Sequence, residues 1–184
     1  MKKLFSIALV CITFFSFSQN SSKIILEQNL LALGAQFYTS DGFRLDQNIF
    51  SIGSSFTLLK NNSEVATSRE AILSFGKKIM IYDSSQKLIG SIEEEIFESI
   101  FSVYSVYTIY DKNHKKVATS KKIDFLGTRI DLFDSSGNLL AKIGRPAINF
   151  FGDTWNIEIL NTTIDYRVLI FIPCHKSLSD SNQN

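Results

Sequence analysis

The sequence predicts an all-β domain in which short antiparallel strands close into a barrel. Among its 184 residues are 16 Phe, 9 Gly and only 2 Pro, a composition that favours strands joined by tight turns. A glycine-containing bend followed by alternating apolar residues also recurs along the whole chain. Because short strands with regularly spaced bends avoid exposed edges most simply by closing on themselves, we expect a closed barrel.

Each repeated unit consists of a bend that feeds a strand, a polar turn, and a strand that runs back to the next bend. The bends occupy residues 33–37, 52–58, 75–81, 126–132 and 151–157, with a glycine-free copy at 103–109. The turns occupy residues 39–42, 61–63, 83–86, 111–114 and 134–138, where Asn, Asp and Gly tolerate the left-handed backbone of hairpin tips. Six such units predict about twelve strands.

A longer stretch of the sequence, which contains several of these units, is also duplicated. Residues 65–68 and 117–120 read Val-Ala-Thr-Ser in both places, and residues 79–85 match 130–136. The two halves are therefore expected to share one local fold.

The first eighteen residues have the pattern of a secretory signal peptide. Lys2 and Lys3 precede an apolar run at 4–17, and Ser16 and Ser18 occupy the positions that a signal peptidase reads. The run is shorter than the ~20 residues needed to span a bilayer. We therefore predict a cleaved leader over residues 1–18 and a periplasmic or secreted protein.

The two cysteines and the near-zero net charge argue against a lipoprotein, a nucleic-acid-binding protein and a disulfide-bonded domain. Val10 precedes Cys11 where a lipoprotein signal has a small residue, so a lipid anchor is not expected. Loss of Lys2 and Lys3 lowers the 19 basic residues to 17, against 18 acidic ones, and this balance gives no reason to expect nucleic-acid binding. Cys174 remains as the sole cysteine, so the exported domain has no internal disulfide.

The end of the chain breaks the alternating pattern. Residues 164–173 form an apolar run that is too short to cross a membrane and is therefore expected to be buried on all sides. Its β-branched content favours a strand, whereas its position after the last hairpin also permits a helix that plugs the barrel, and Pro173 would end either one. We expect a single domain over residues 19–176 and a polar flexible tail over 177–184.

Several of these segments together resemble the LURP-one-related family, which belongs with the Tubby C-terminal and phospholipid scramblase domains. The resemblance covers residues 26–174 and is carried by 107–111 with 116–118, by 134–143 and by 151–157. It implies a closed antiparallel barrel of twelve strands around a central hydrophobic helix, with that helix at residues 165–172.

The resemblance also implies a function. Tubby domains bind phosphoinositide headgroups and scramblases act on membrane lipids, so we expect an extracytoplasmic, monomeric, non-enzymatic module without a cofactor. Its partner would be an anionic lipid headgroup or a protein surface. A scramblase-like protein that handles lipid in an apolar groove or barrel interior is the first alternative, and a hydrolase with an unrecognised site is the second.

Motifs for catalysis or metal binding are missing from the sequence. It contains no phosphate-binding glycine loop, zinc-binding helix motif or nucleophile elbow. Cys174 and His175 are adjacent and so cannot face each other, and we expect a buried Cys beside a His at the rim. The turn at Asp134 resembles the start of a calcium loop, but its twelfth position is Arg145 rather than a bidentate Glu. We therefore predict neither a catalytic nor a metal site.

Basic residues near the bends form the candidate ligand site. Lys77 and Lys78 follow Gly76, and Arg129 stands at the equivalent place after Gly127. If they gather on one rim, they can bind a phosphate by charge-assisted hydrogen bonds, and otherwise they are scattered solubilising charges. The candidate residues are Lys77, Lys78, Lys121, Lys122, Arg129 and Arg145.

Overall fold

The protein is an all-β barrel with one helix. The computed structural model describes residues 21–51, 53–73, 76–98, 103–121, 123–124, 128–146 and 153–181. Within these ranges the strands are β1 (Ser22–Gln28), β2 (Gln36–Thr39), β3 (Phe43–Gln47), β4 (Ser55–Lys60), β5 (Ser63–Leu73), β6 (Gly76–Asp83), β7 (Leu88–Glu98), β8 (Val103–Asp111), β9 (Lys116–Ser120), β10 (Ile123–Asp124), β11 (Arg129–Phe133), β12 (Leu139–Gly144) and β13 (Thr154–Ile159). The helix, α1, spans Tyr166–Ser181.

Twelve of the strands form a closed antiparallel ring. Pairing runs from β8 through β7 down to β1, continues through β13, β12 and β11 to β9, and closes where β9 pairs with β8. The two-residue strand β10 pairs with β8 beyond the end of β9. The predicted barrel is confirmed, and it leaves no long strand edge unpaired in the described part of the chain.

The two ends of the barrel differ in the connections that they carry. The hairpin turns at 40–42, 61–62, 84–87, 112–115 and 134–138 lie at one end, which we call the tip end. At the opposite end, the bend end, the chain leaves β1 and β3, and β4, β6 and β11 begin. Helix α1 follows β13, enters the barrel at the tip end and runs toward the bend end.

Three of the turns are held by the same aspartate geometry. The Oδ1 atom of Asp83 accepts the backbone N–H groups of Ser85 (2.8 Å) and Lys87 (3.0 Å). Asp111 and Asp134 make the equivalent pairs of bonds to the residues two and four positions later. These aspartates therefore cap the turns, as the repeat predicts.

The duplication is visible in the backbone. The Ser68 hydroxyl accepts the N–H of Phe56 at 3.2 Å, and the Ser120 hydroxyl accepts the N–H of Tyr107 at 2.9 Å. Both strand pairs have a register irregularity near the same point, between Leu58 and Leu59 in one and between Ile109 and Tyr110 in the other. The β4–β5 and β8–β9 pairs therefore share one local geometry.

Glycine is required at the start of β6. Gly76 has φ +153°, and a Cβ there would lie 1.8 Å from the carbonyl oxygen of Glu94. A side chain cannot occupy that space, so this predicted bend depends on its glycine. The bends predicted at Gly127 and Gly152 lie outside the described residues.

The core consists of alternating inward side chains of the strands packed against α1. Leu26, Phe37 and Trp155 are fully buried on the wall, and residues 168–177 of the helix are all buried. The Trp155 indole N–H donates to the Ser177 hydroxyl at 2.8 Å. Because strands surround the helix, it carries apolar residues on every face rather than on one stripe.

The helix extends further than the sequence predicts. We expected Pro173 to end it, but α1 continues through Pro173 to Ser181, and Ser177 of the predicted flexible tail is buried within it. A proline inside a helix costs about 3 kcal/mol or more, and burial of the surrounding turns on all sides offsets that cost. Among the described residues, no helix has the length and apolarity needed to span a membrane.

Candidate functional site

Helix α1 occupies the barrel interior and therefore leaves no room there for a ligand. All side chains at residues 168–177 are buried against the inner face of the wall. An eight- to twelve-strand barrel has an interior that side chains or one small element can fill. In the described part of the chain, binding surfaces therefore lie on the outer wall and at the two ends.

The structure separates the predicted basic residues by strand face. Lys77 stands two residues before buried Ile79, and Arg145 stands two residues after buried Ile143, so both belong to inward-facing positions at the bend end. Lys78 and Arg129 occupy outward positions. Lys122 lies outside the described residues.

Two of the outward candidates already have partners on the wall. The Lys78 Nζ atom lies 2.7 Å from a Glu93 carboxylate oxygen on the neighbouring strand, and the Lys121 Nζ atom lies 4.9 Å from the centre of the Phe133 ring. Neither residue contributes to a common site with the others. For Lys78 and Lys121 the structure therefore matches scattered wall charges.

Arg129 and Arg145, in contrast, share a groove. The groove crosses β11, β12, β13 and β1 on the outer wall and has a volume of about 670 Å³. It reaches the bend end at Arg145, whose guanidinium turns inward to Asp180 of α1. We call it the basic groove, and its lining residues are Lys23, Thr128, Arg129, Lys142, Ile143, Gly144, Arg145, Pro146, Asn156 and Glu158. Four cations and one carboxylate line it. Three of the cations have carboxylate partners, so Lys23 is the lining cation without an ion pair among the described residues.

Strand register brings the other charges of the basic groove together. Lys23 on β1 and Lys142 on β12 both stand directly opposite Glu158 on β13. The Lys142 Nζ atom is 3.0 Å from the Glu158 carboxylate, and Lys23 makes no ion pair among the described residues. Sequence reasoning missed Lys23 because its position depends on pairing between the first and last strands.

The two arginines of the basic groove are held differently. Arg129 is 64% exposed and pairs with Asp131 at 2.9 Å, an exposed ion pair of the kind that contributes about 1 kcal/mol or less. Arg145 is largely buried, pairs with Asp153 at 2.9 Å and with Asp180 of α1, and lies over the Trp155 ring. Arg129 can exchange its carboxylate for a ligand, whereas Arg145 joins the helix to the wall.

A second polar cluster surrounds His175, which we had placed at the rim. The structure corrects this: His175 is buried, because its helix position faces the wall. Its Nδ1 atom lies 3.1 Å from the Ser54 hydroxyl and 3.3 Å from a Glu70 carboxylate oxygen, and its Nε2 atom lies 2.9 Å from the Ser68 hydroxyl. Burial lowers the pKa of His175, and its contact with Glu70 only partly opposes this.

The order Glu70, His175, Ser68 resembles a hydrolase triad in connectivity. Ser68 is fully buried, however, and its hydroxyl accepts the Phe56 N–H. The equivalent Ser120 makes the same backbone bond to Tyr107, which identifies the serine as a structural residue of the repeat. Ser68 is therefore held in a structural hydrogen bond and is not exposed as a nucleophile. Ser54, Glu70 and His175 line a pocket of about 250 Å³ on the other side of the cluster.

The remaining candidate residues are one buried cysteine and one exposed histidine. Cys174 is fully buried, as predicted, and burial raises the pKa of its thiol well above the ordinary value. His114 is an exposed turn residue with φ +60°. Among the described residues, no three His, Cys, Asp or Glu side chains are arranged to hold a metal ion.

Comparisons with known proteins support the fold. No family model matches the chain, and no curated protein matches it. The X-ray structure of the Arabidopsis thaliana protein AT5G01750 is similar, with a TM-score of 0.51 and 13% sequence identity, over 88% of this chain and 92% of that chain. At this identity the likeness concerns the fold alone, and membership of the LURP-one-related family remains a prediction.

Proposed function

We propose that this protein is an extracytoplasmic binding module without enzymatic activity that recognises the anionic headgroups of membrane lipids. One observation carries the proposal: the barrel interior is filled by α1, and the outer wall bears a groove lined by four cations and one carboxylate. The predicted leader peptide at residues 1–18 would place the groove outside the cytoplasm. The ligand is accordingly the phosphodiester of a general anionic phospholipid rather than a phosphoinositide.

The cations of the basic groove suit a phosphate in different ways. Lys23 has its ammonium group free of any described carboxylate, and Arg129 holds only an exposed pair with Asp131. A phosphate that binds Arg129 replaces this weak pair by charge-assisted hydrogen bonds, which are stronger than neutral ones. Arg145 keeps its two carboxylate partners, Asp153 and Asp180, which balance its charge, so Lys23 and Arg129 are the cations available to a phosphate.

The scramblase-like alternative finds less support. Passage of lipid through the barrel requires α1 to leave, which would expose ten buried residues, 168–177, to water. No described contact favours such a movement over a closed barrel. The outer-wall mode therefore accounts for the geometry with fewer changes.

The proposal is tested by vesicle co-sedimentation of the purified protein. We expect binding to vesicles of phosphatidylcholine with phosphatidylglycerol, weaker binding to phosphatidylcholine alone, and a decrease with salt, because screening weakens exposed charge attraction. The double variant Lys23→Glu, Arg129→Glu should reduce binding to the anionic vesicles by about tenfold or more, since each charge near an anionic surface contributes roughly 1 kcal/mol.

The matched control reverses two charges at the tip end. Lys112 and Lys115 are exposed residues of the turn between β8 and β9 and do not line the basic groove. The variant Lys112→Glu, Lys115→Glu changes the net charge by the same amount. This control should bind like the unsubstituted protein. Equal losses in both variants, or no preference for anionic vesicles, would show that the groove is not a headgroup site.

A further inference from the structure

Five large apolar side chains are exposed at the bend end. Leu31, Leu33 and Phe50 are 97%, 96% and 92% exposed, and Leu30 and Ile49 are 60% and 52% exposed. Leu30, Leu31 and Leu33 lie in the loop after β1, and Ile49 and Phe50 lie in the loop after β3. We call these five residues the apolar patch. Contiguous exposed apolar surfaces, unlike single exposed apolar residues, mark interaction sites.

The two loops of the apolar patch touch each other. A Cβ on Gly34 would lie 2.7 Å from the Ile49 side chain. The Ala35 N–H donates to the Gln47 side-chain oxygen at 2.8 Å, and the Gln47 N–H donates to the Ala35 carbonyl at 2.9 Å. These bonds hold both loops on one side of the barrel opening, so the five side chains form one surface.

The two loops that carry the apolar patch contain no charged residues. Residues 29–36 and 47–51 contain no Asp, Glu, Lys or Arg, although 20% of the chain is charged. The turns at the tip end are polar throughout. In the sequence, apolar residues also precede the glycines of three other bends, at Phe75, Leu126 and Phe151, which lie outside the described residues.

A short chain of contacts links the loop after β1 to Arg145 at the bend end of the basic groove. The Gln28 N–H, immediately before the first loop, donates to the Asp153 carbonyl at 2.9 Å, and the Asp153 carboxylate pairs with Arg145. The apolar patch and the bend end of the basic groove, with Arg129 and Arg145, are therefore neighbours. A bilayer offers the matching arrangement, an apolar interior beneath a layer of charged headgroups.

The shape of the apolar patch favours a bilayer over a rigid protein partner. Leu31, Leu33 and Phe50 are more than nine-tenths exposed and therefore project from the fold. Acyl chains deform around single projecting side chains. Burial of these groups also desolvates no charge, because the patch has none.

We propose that the protein docks on lipid bilayers through its bend end, with Leu31, Leu33 and Phe50 inserted at the boundary of the hydrocarbon region. This inference deepens the proposed lipid binding and rests on it for the nature of the partner. It adds a contact that salt does not screen and directs the polar tip end toward water.

Insertion is tested first with a fluorescent substitution. Trp155 is fully buried and gives a constant background, so Phe50→Trp reports the environment of the apolar patch. We expect the emission of Phe50→Trp to shift to shorter wavelength with phosphatidylcholine vesicles and to be quenched by brominated acyl chains. Ser84→Trp, at an exposed tip position, should show neither effect. An unchanged emission of Phe50→Trp would overturn the proposal.

Binding to uncharged phosphatidylcholine vesicles gives the second test. Leu31→Glu, Leu33→Glu should lower the partition coefficient by about tenfold or more, because each apolar side chain returned to water forfeits roughly that factor. These side chains make few contacts in the fold, so the variant should remain folded by circular dichroism. The matched control, Ser84→Glu, Ser135→Glu at the tip end, should bind like the unsubstituted protein.

The two proposals fail in different ways. Suppose that Leu31→Glu, Leu33→Glu loses binding to neutral and to anionic vesicles, whereas Lys23→Glu, Arg129→Glu binds like the unsubstituted protein. The docking surface is then supported and the headgroup site is wrong. If only Lys23→Glu, Arg129→Glu loses binding, the docking surface is wrong. A dimer in sedimentation velocity that Leu31→Glu, Leu33→Glu dissociates would also overturn docking on lipid, since the occupant would be a second copy.

Discussion

His175 ties helix α1 to two strands of the barrel wall. The Ser68 hydroxyl accepts the Phe56 N–H, so its own proton is free to go to His175 Nε2, and His175 Nδ1–H then donates to the Glu70 carboxylate, which can only accept. This assigns a neutral imidazole protonated at Nδ1. Burial would raise the pKa of Glu70, but the hydrogen bond from His175 and the charge of Lys77 lower it overall.

This arrangement predicts an acid-sensitive fold. Because burial lowers the pKa of His175 below its unfolded value near 6.5, the unfolded chain binds the proton more readily. The stability contribution is therefore complete above about pH 6.5 and is lost as the pH falls toward the lowered folded pKa, by up to about 1.4 kcal/mol per pH unit. The lowered pKa of Glu70 adds a further loss below about pH 4.5.

Urea denaturation at a series of pH values measures this effect. In His175→Gln, the free energy of unfolding should lose its dependence on pH between 6.5 and the lowered pKa of the native histidine. The control is His114→Gln, because His114 is exposed with φ +60° and Gln86 occupies the equivalent turn position with the same φ. A variant at 175 that keeps the full pH dependence would show that another group titrates.

The elements differ in how far the sequence could predict them. Alternating apolar residues and Asp- or Gly-containing turns predict the strands and the tips, because both depend on neighbours within a few residues. The run at 164–173 predicts burial on all sides, but its β-branched residues do not distinguish a strand from a helix. The enclosing wall decides for the helix and extends it past Pro173 to Ser181.

The basic groove depends on still longer-range information. Strand alternation could have shown that Lys78 and Arg129 point outward, whereas Lys77 and Arg145 belong to inward positions. The meeting of Lys23 and Lys142 at Glu158 requires β1 and β12 to flank β13. That neighbourhood follows from barrel closure and register, which a sequence without its pairing does not specify.

Helix α1 is expected to be indispensable for folding. Leu169 is fully buried inside the barrel, so Leu169→Asp places an unpaired carboxylate where no water can solvate it and should prevent folding. Leu169→Ala should fold with a loss of about 2–5 kcal/mol. Circular dichroism and urea denaturation distinguish these outcomes.

The control lies at the other end of the same helix. Ser181 is the exposed last residue of α1, so Ser181→Asp introduces the same charge without burying it and should cost less than about 1 kcal/mol. A folded Leu169→Asp protein with normal stability would mean that α1 does not form the core.

The whole molecule combines a closed interior with unlike ends. The wall and α1 bury a continuous apolar core, the tip end is polar, and the bend end carries the apolar patch next to the basic groove. A filled barrel gives a rigid body, so lipid recognition depends on what its surface presents rather than on a lumen. The interior is then inert unless the helix moves out of it.

Cys174 offers a direct measurement of such movement. Its thiol is fully buried in the middle of the barrel, donates to the Ile170 carbonyl, and has a pKa raised well above the ordinary value by burial. If residues 1–18 are removed, it is the sole cysteine. A thiol reagent should therefore modify the native protein orders of magnitude more slowly than the urea-unfolded chain. Leu169→Ala should accelerate the reaction by about tenfold for each 1.4 kcal/mol of stability that it loses. Modification of the native protein as fast as of the unfolded chain would mean that α1 leaves the closed barrel readily, and the barrel interior would then be open to an apolar ligand.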